Sequence, residues 1–317
     1  MQTTTGSLIP SNHWVVTKRE EKGTIMKTDV FIKLFSNHLG QEEMKADIDR
    51  GFRMFSDFET QFSRFKAESE LSHFNEGTGG VVSSDFFSLL EECSRFYTLT
   101  EGIFDPSVLP TLEKIGYKGS NLTKEFTQGG SFHQLVFDGI NKVIQKPKDV
   151  YIDVGGIGKG YIVDKVANEL SKKYVNGIVD AGGDMRLFGG DREQNLDTFA
   201  IDIENPFDKT KTLSMVLLSN CAIATSGTNR RKWDYAGQTY HHIIDPSREM
   251  SAETGVVQVT VIAPYAAEAD VFAKTLLILG LERGMVFARE KNIPALFVTE
   301  DKKIIRNSLF QNYEWKT

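Results

Sequence analysis

The sequence contains little cysteine and no excess of positive charge. Among 317 residues there are two cysteines, Cys93 and Cys221, far apart in segments predicted as a helix and a strand. A disulfide framework is therefore excluded, and a reducing compartment fits. The formal net charge of −6 offers no positive field for a phosphate backbone, so nucleic acid is not an expected partner.

The N-terminal residues also lack a long apolar run. Residues 1–18 are polar, with no signal-peptide core, no membrane span and no cysteine for lipid attachment. We therefore expect a poorly ordered tail over 1–18, one folded domain over 19–317, no membrane anchor and a cytoplasmic location. Hydrophobic residues at 40% and charged residues at 25% are typical of a folded globular protein. The 22 phenylalanines favour a Phe-rich core over an aromatic ligand surface.

Apolar periodicity predicts the first elements. Alternation over residues 26–35 indicates a half-buried strand. The first helix is indicated by apolar residues at three- and four-residue spacing: Met44, Ile48, Phe52, Phe55, Phe58 and Phe62. A second helix is predicted to begin after Ser83 and Ser84, and residues 77–80 are predicted to form the turn between the two helices.

Beyond residue 130 the pattern changes to short apolar strands separated by Gly and Asp. A closing hairpin is expected over 294–298 and 303–305. The loop-like stretch 118–130 is the only candidate boundary, so we predict one α+β domain with a helical N-terminal portion and a mixed sheet flanked by helices. Strands are predicted at 135–137, 150–154, 177–179, 185–188, 199–203, 213–218 and 256–262, and helices at 159–173, 266–279 and 282–290.

A glycine-rich turn between a strand and a helix lies at residues 151–164, YIDVGGIGKGYIVD. Glycines let a ligand approach the backbone, and free amides at a helix start favour an anion, so this turn is a candidate phosphate site. The turn does not match the Walker A motif, because Gly160 follows Lys159 where that motif requires Ser or Thr. It does not match the dinucleotide-binding fingerprint either, because the third glycine of that fingerprint is missing. A purely structural turn remains the alternative.

Three further segments have polar residues at strand or helix ends. Residues 179–190 run into paired glycines, and residues 224–246 contain His241 and His242 before Asp245. Alternation predicts that the two histidines face opposite ways, so that one points into any cleft. Asp270 is predicted in the first turn of a helix, where a carboxylate is favoured by the helix dipole without any further function.

Together these segments resemble the ApbE family of FAD:protein FMN transferases. The family's acid-Gly-Gly-x-x-Lys-Gly turn matches residues 153–160, A-G-G-D matches 181–184, T-S-G matches 225–227 and His-x-x-Asp-Pro matches 242–246. Upstream, SRFKAESELSHFN at 63–75 and GIFDPSVLP at 102–110 also resemble family segments. The resemblance extends over residues 26–280.

The resemblance implies a function and a set of site residues. It implies a Mg²⁺-dependent enzyme that uses FAD as its substrate and attaches FMN through a phosphoester to a Thr or Ser of an acceptor flavoprotein, releasing AMP. Magnesium would be held by the backbone carbonyl of Gly156 and by Asp270, with His242, Asp270 and Lys159 catalytic. FAD would contact Met26, Phe65, Ile103, Phe104, Asp105, Asp153, Lys159, Thr225 and His242.

The chain departs from the family pattern at two places besides Phe65, which replaces the usual Tyr. Lys274 occupies the position four residues after Asp270 where the family supplies a Ser or Thr metal ligand. Thr275 is next along, but at ~100° per residue it lies off the face that Asp270 shares with Lys274. The Thr-Gly that commonly follows the family's Asp-Pro is also missing. Lys274 leaves open the number of metal ions and the alternative of a non-catalytic FAD-binding protein. An FAD pyrophosphatase that releases FMN and AMP is the other alternative, because the same pocket would serve both reactions.

Overall fold

The structure, a computed structural model, describes residues 16–119 and 129–315. Most of residues 1–18 and of the loop 118–130 therefore lie outside the described residues, although the first strand begins at Thr17. The helices are α1 (Gln41–Phe62), α2 (Glu70–Glu76), α3 (Ser84–Leu99), α4 (Leu109–Lys114), α5 (Gly158–Leu170), α6 (Ala266–Glu290) and α7 (Ser308–Gln311).

The strands form one large sheet and several small ones. The first nine are β1 (Thr17–Ile25), β2 (Thr28–Ser36), β3 (Gly79–Val81), β4 (Val136–Asp138), β5 (Val143–Gln145), β6 (Asn176–Ala181), β7 (Asp184–Phe188), β8 (Phe199–Asn205) and β9 (Asp208–Leu218). The others are β10 (Ala222–Gly227), β11 (Lys232–Tyr235), β12 (Gln238–His241), β13 (Ile244–Asp245), β14 (Met250–Ser251), β15 (Val256–Ala263), β16 (Ala295–Thr299) and β17 (Ile304–Arg306).

The main sheet has the order β1-β2-β6-β7-β10-β15-β16-β17. The predicted α+β class is confirmed. Every neighbouring pair in this sheet is antiparallel, whereas the sequence predicted a mixed sheet. One face packs on α1, α5 and α6, and the β8–β9 hairpin with Phe310 of α7 covers the other.

The phenylalanine-rich N-terminal helices form part of the core, as the sequence predicted. Helix α1 buries Met44, Ile48, Phe55, Phe58 and Phe62. Helix α3 begins where expected, because the Ser83 hydroxyl accepts a hydrogen bond from the Phe86 amide at 3.1 Å. Rings from α1, α2 and α3 pack stacked and edge-on, which is how aromatic side chains fill a core.

Residues 150–154, predicted as a strand, are instead irregular and lead into a 3₁₀ turn at Val154–Gly156. The backbone of Ile152 bonds to the Asn75 side chain, at 2.7 Å through its amide and 2.8 Å through its carbonyl. The Asp153 amide donates to the carbonyl of Pro106 at 2.8 Å. Because a side chain and a loop take these hydrogen bonds, no neighbouring strand can pair here.

Two other predictions need correction. Residues 77–80, predicted as a turn, include Gly79 and Gly80 of β3, which pairs with β5, and α2 precedes them. The strand predicted over 26–35 begins at Thr28, because Met26 and Lys27 form the β1–β2 turn with φ of 55° and 56°. The break predicted between the helices at 266–279 and 282–290 is confirmed as a kink within α6 at Gly280, where φ is 76°.

Among the described residues, no helix is both long enough and apolar enough to cross a membrane.

Candidate active site

A cavity opens between α6, the 3₁₀ turn at Val154–Gly156 and the loop that follows α3. Its volume of about 110 Å³ is smaller than the ~300–1,000 Å³ of ordinary ligand pockets. A dinucleotide could therefore place only part of itself inside and would extend to the surface. The cavity brings together these residues predicted from the sequence: Phe65, Ile103, Phe104, Asp105, Asp153, Gly156, His242 and Lys274.

The aromatic wall of this cavity is Phe65, which is 41% exposed. Its ring meets Tyr117 edge-on, with centroids 6.1 Å apart, and the guanidinium of Arg64 lies 4.3 Å from its centroid. Arg64 is buried and pairs with Glu113 at 2.8 Å and Asp153 at 2.9 Å. Arg64 thus fixes both an aromatic face and a carboxylate, a role that sequence reasoning missed although it precedes Phe65 in the same motif.

Asp153 shapes the glycine turn. Its Oδ1 accepts a hydrogen bond from the Gly155 amide at 2.6 Å, and its Oδ2 faces Arg64. Gly156 follows with its Cα against the ring of Phe104, where a Cβ would lie 3.1 Å from the ring. The turn therefore holds the Gly156 backbone at the cavity wall.

Asp105 also lines the cavity. Its Oδ1 accepts hydrogen bonds from the Ser107 amide at 2.7 Å and the Ser107 hydroxyl at 2.6 Å. Burial raises the pKa of Asp105 above its usual range, while these hydrogen bonds oppose the shift. The carboxylate is thereby held in a closed turn at the cavity edge.

Lys159 is the second residue of α5, and its ammonium forms an ion pair with Asp184 at the start of β7. Asp184 is 1% exposed. Burial lowers the pKa of Lys159 to about 8, and the charges of Lys274 and Arg231 add to the effect while Asp270 opposes it. The sequence placed Asp184 in the A-G-G-D motif but did not predict its pairing with Lys159.

Asp270 is the fifth residue of α6 and so lies in the second helical turn, not in the first as predicted. It therefore does not cap the helix. The carboxylate is 2% exposed, and Lys274 pairs with its Oδ1, while Oδ2 is buried with no hydrogen-bond partner in the described part of the chain. Burial raises the pKa of Asp270, but Lys159 and Lys274 hold it below its usual range.

Helix α6 is positioned by α5. Asp164 of α5 accepts hydrogen bonds from the amides of Ala266 and Ala267, at 2.8 and 2.9 Å, and so caps the start of α6. Gly160 allows the two helix ends to touch, since a Cβ there would lie 2.4 Å from the carbonyl oxygen of Ala266. The motif 151–164 therefore builds the cavity wall and also orients the helix that carries Asp270.

The two histidines face different surroundings. His241 is buried at the end of β12, with Nε2 2.9 Å from the Ala252 carbonyl. His242 follows the strand and lines the cavity, and its Nδ1 is buried with no hydrogen-bond partner among residues 16–119 and 129–315. Burial lowers the pKa of His242 to about 3, with a further contribution from the Arg231 charge.

Five predicted residues do not line the cavity: Lys159 and Asp270, described above, and Met26, Thr225 and Thr275. Met26 lies in the β1–β2 turn. The Thr225 hydroxyl on β10 is 2.9 Å from that of Thr260 on β15. The Thr275 hydroxyl donates to the Val271 carbonyl at 2.9 Å within α6, and the residue is fully buried.

The model of the ApbE family matches residues 26–297, which is most of the chain. The chain belongs to the ApbE family. A relative from Vibrio cholerae, named FAD:protein FMN transferase, is 31% identical over 81% of this chain and 79% of its own. A relative of the same name from Haemophilus influenzae is 28% identical over 80% of this chain and 79% of its own.

Solved ApbE structures have the same fold. The ApbE protein of Thermotoga maritima superposes with a TM-score of 0.85 at 27% identity, covering 95% of this chain and all of its own. The flavin transferase ApbE of Vibrio cholerae gives a TM-score of 0.79 at 28% identity, covering 94% and 99%. The family expected from the sequence is therefore confirmed.

Proposed function

We propose that this protein is a Mg²⁺-dependent FAD:protein FMN transferase that joins FMN through a phosphoester to a Thr or Ser hydroxyl of an acceptor flavoprotein and releases AMP. The observation that carries the proposal is one cavity in which an aromatic face, a glycine turn at the start of α5 and a histidine converge, with Lys274 of its wall paired to the buried carboxylate of Asp270. The relatives named for this reaction support it.

The shape of the cavity suits one end of FAD. Phe65 offers a ring to the isoalloxazine, and apolar Ile103 and Phe104 border the same space. The α5 amides and Lys159 provide positive charge for the pyrophosphate. In this arrangement the flavin end enters the cavity, and the rest of FAD extends toward solvent.

The residues present fit a hard divalent cation. Among residues 16–119 and 129–315, Oδ2 of Asp270 is a buried anionic oxygen with no hydrogen-bond partner, and the 3₁₀ turn that contains Gly156 contacts α6. In the described part of the chain no three His, Cys, Asp or Glu side chains cluster as a metal site. A carboxylate oxygen of Asp270 and the backbone carbonyl of Gly156 suit Mg²⁺, because Mg²⁺ binds few protein ligands and takes its other oxygens from water and substrate phosphates. When bound, it would neutralise charge on the pyrophosphate.

The chain's own residues position the reactants and handle the proton. The acceptor hydroxyl oxygen bonds to the FMN phosphorus, and the bond from that phosphorus to the AMP oxygen breaks. The pKa of about 3 leaves the His242 imidazole neutral at neutral pH but a weak base. The anionic phosphates of bound FAD would raise that pKa, so that the imidazole takes the hydroxyl proton or orients the group that does. Lys159 holds its charge close to the phosphates.

Incubation with FAD, Mg²⁺ and a Thr-containing acceptor peptide tests this proposal against its rivals. A transferase gives FMN-modified peptide and one AMP for each modification. A pyrophosphatase gives free FMN with AMP and unmodified peptide, and a flavin carrier leaves FAD intact. A Thr→Val peptide is the matched control. The cytoplasmic location expected from the sequence stays a prediction.

A further inference from the structure

Arg231 is a cation of the cavity wall that the sequence motifs did not single out. It follows β10 in the loop that leads to β11, and its backbone has φ of 52°, a left-handed conformation that is uncommon for a residue with a side chain. Its charge is close enough to lower the pKa of both His242 and Lys159. The guanidinium therefore belongs to the same electrostatic site as these two residues.

The other cations near the cavity are already paired with carboxylates. Lys159 pairs with Asp184, Lys274 with Asp270, and Arg64 with Glu113 and Asp153. Arg231 differs, because no ion pair or hydrogen bond joins it to any residue in the described ranges. Its guanidinium can therefore bind a ligand without first leaving a carboxylate of the protein.

The neighbouring cations of the same loop are used differently. Arg230 donates to the Gly182 carbonyl at 3.2 Å and lies 3.4 Å from Glu204. Lys232 donates to the Asn229 side chain at 3.3 Å. Neither residue lines the cavity, although both are exposed and adjacent to Arg231. The difference lies in position and pairing, since all three carry the same charge.

We propose that Arg231 binds the pyrophosphate of FAD and so determines that the site selects a phosphate-bearing flavin over the unphosphorylated one. The inference rests on the proposed function for the identity of the ligand. A guanidinium can donate two parallel hydrogen bonds to phosphate oxygens, which an ammonium cannot match. The exposed position at the cavity mouth suits a ligand whose flavin lies inside and whose phosphates extend outward.

The test measures dissociation constants by quenching of flavin fluorescence, with EDTA present so that FAD stays intact. FAD and riboflavin are titrated into the native protein and into Arg231→Gln, Arg231→Lys and Lys232→Gln. Arg231→Gln should weaken FAD binding by about 10- to 100-fold, the loss expected for hydrogen bonds to a charged group, and leave riboflavin binding within twofold. Arg231→Lys should retain part of the FAD affinity, and Lys232→Gln all of it.

Unchanged FAD affinity in Arg231→Gln would overturn the inference, as would an equal loss for FAD and riboflavin, which marks a structural residue. Failure of the native protein to bind FAD would overturn both this inference and the proposed function. Selective loss of FAD affinity without any FMN transfer by the native protein would uphold Arg231 and contradict the transferase. Transfer by the native protein together with normal FAD binding by Arg231→Gln would uphold the transferase and contradict the proposed role of Arg231.

Discussion

Lys274 and Asp270 form an ion pair across one turn of α6, with the carboxylate buried and the ammonium at the cavity wall. The lysine therefore faces one oxygen of the carboxylate proposed to hold Mg²⁺, and the other oxygen has no hydrogen-bond partner among the residues that the structure describes. A protonated lysine has no lone pair for a metal. Its charge can instead act on the pyrophosphate in place of a second cation.

Lys274→Thr is expected to raise the Mg²⁺ concentration needed for half-maximal transfer, because the metal must then supply charge that the lysine provides. Lys274→Met should lose activity that added Mg²⁺ does not restore. Initial rates against Mg²⁺ at saturating FAD measure both effects. Normal turnover by Lys274→Met with unchanged Mg²⁺ dependence would show that Lys274 takes no part. Thr275→Val is the control, because its hydroxyl is bonded within the helix.

Asp270→Asn is expected to abolish Mg²⁺-dependent transfer, since a neutral amide loses the anionic oxygen that suits a hard cation. The side chain keeps its shape, so the protein should still unfold cooperatively, as urea denaturation will show. Mg²⁺ binding by calorimetry, in the presence of FAD, should be lost in parallel. Full transfer activity in this variant would leave Asp270 with only a structural pairing to Lys274.

His242→Ala should slow transfer by roughly 10²- to 10⁴-fold while FAD affinity is largely kept, if the imidazole handles the acceptor proton. Single-turnover rates and FAD titrations separate the two effects. His241→Ala provides the comparison, because His241 bonds to the backbone of Ala252 and should affect stability more than chemistry. An equal loss of FAD affinity in His242→Ala would identify a binding residue.

The pKa of Lys159 predicts an upper pH limit for activity. Its pKa of about 8 means that the ammonium is charged below pH 8 and neutral above it, so kcat/KM for FAD should fall as pH rises through 8. The depressed pKa of His242 predicts no loss from that histidine between pH 7 and 5. Lys159→Arg should move the alkaline fall upward, because guanidinium stays protonated. An alkaline fall that is identical in this variant would assign the limit to another group.

Gly160→Ala is expected to destabilise the fold by about 2 kcal/mol or more, because its Cβ would overlap the Ala266 carbonyl and force the helix ends apart. Urea denaturation measures the change. Gly40→Ala is the matched control, since Gly40 has an ordinary φ of −79° and nothing within 4 Å of an added Cβ. Equal stability of the two variants would show that α5 and α6 need no close contact.

Elements with a clear apolar period were predictable from the sequence. Helices α1 and α3 follow the spacing of their phenylalanines, and the β16–β17 hairpin lies close to its predicted ranges. Strand β1 was missed because its residues 18–22 are all charged, as suits an edge strand that must not pair further. The strand predicted at 150–154 was wrong, because the alternation of apolar residues cannot reveal that the Asn75 side chain takes the backbone hydrogen bonds of Ile152.

The site was predictable where motifs are local and unpredictable where partners are distant. The turn at 153–160 and His242 could be found as short patterns. The pairing of Lys159 with Asp184 spans 25 positions, and that of Arg64 with Glu113 spans 49. Arg231 carried no signal beyond its charge, because only the folded chain distinguishes it from Arg230 and Lys232.

Mass spectrometry of an acceptor peptide after incubation with FAD and Mg²⁺ tests the central claim most directly. The proposed function predicts one added FMN on the Thr or Ser hydroxyl, an equal amount of AMP, and neither product with EDTA or with the Asp270→Asn variant. Free FMN beside an unmodified peptide, or FAD recovered intact, would contradict it.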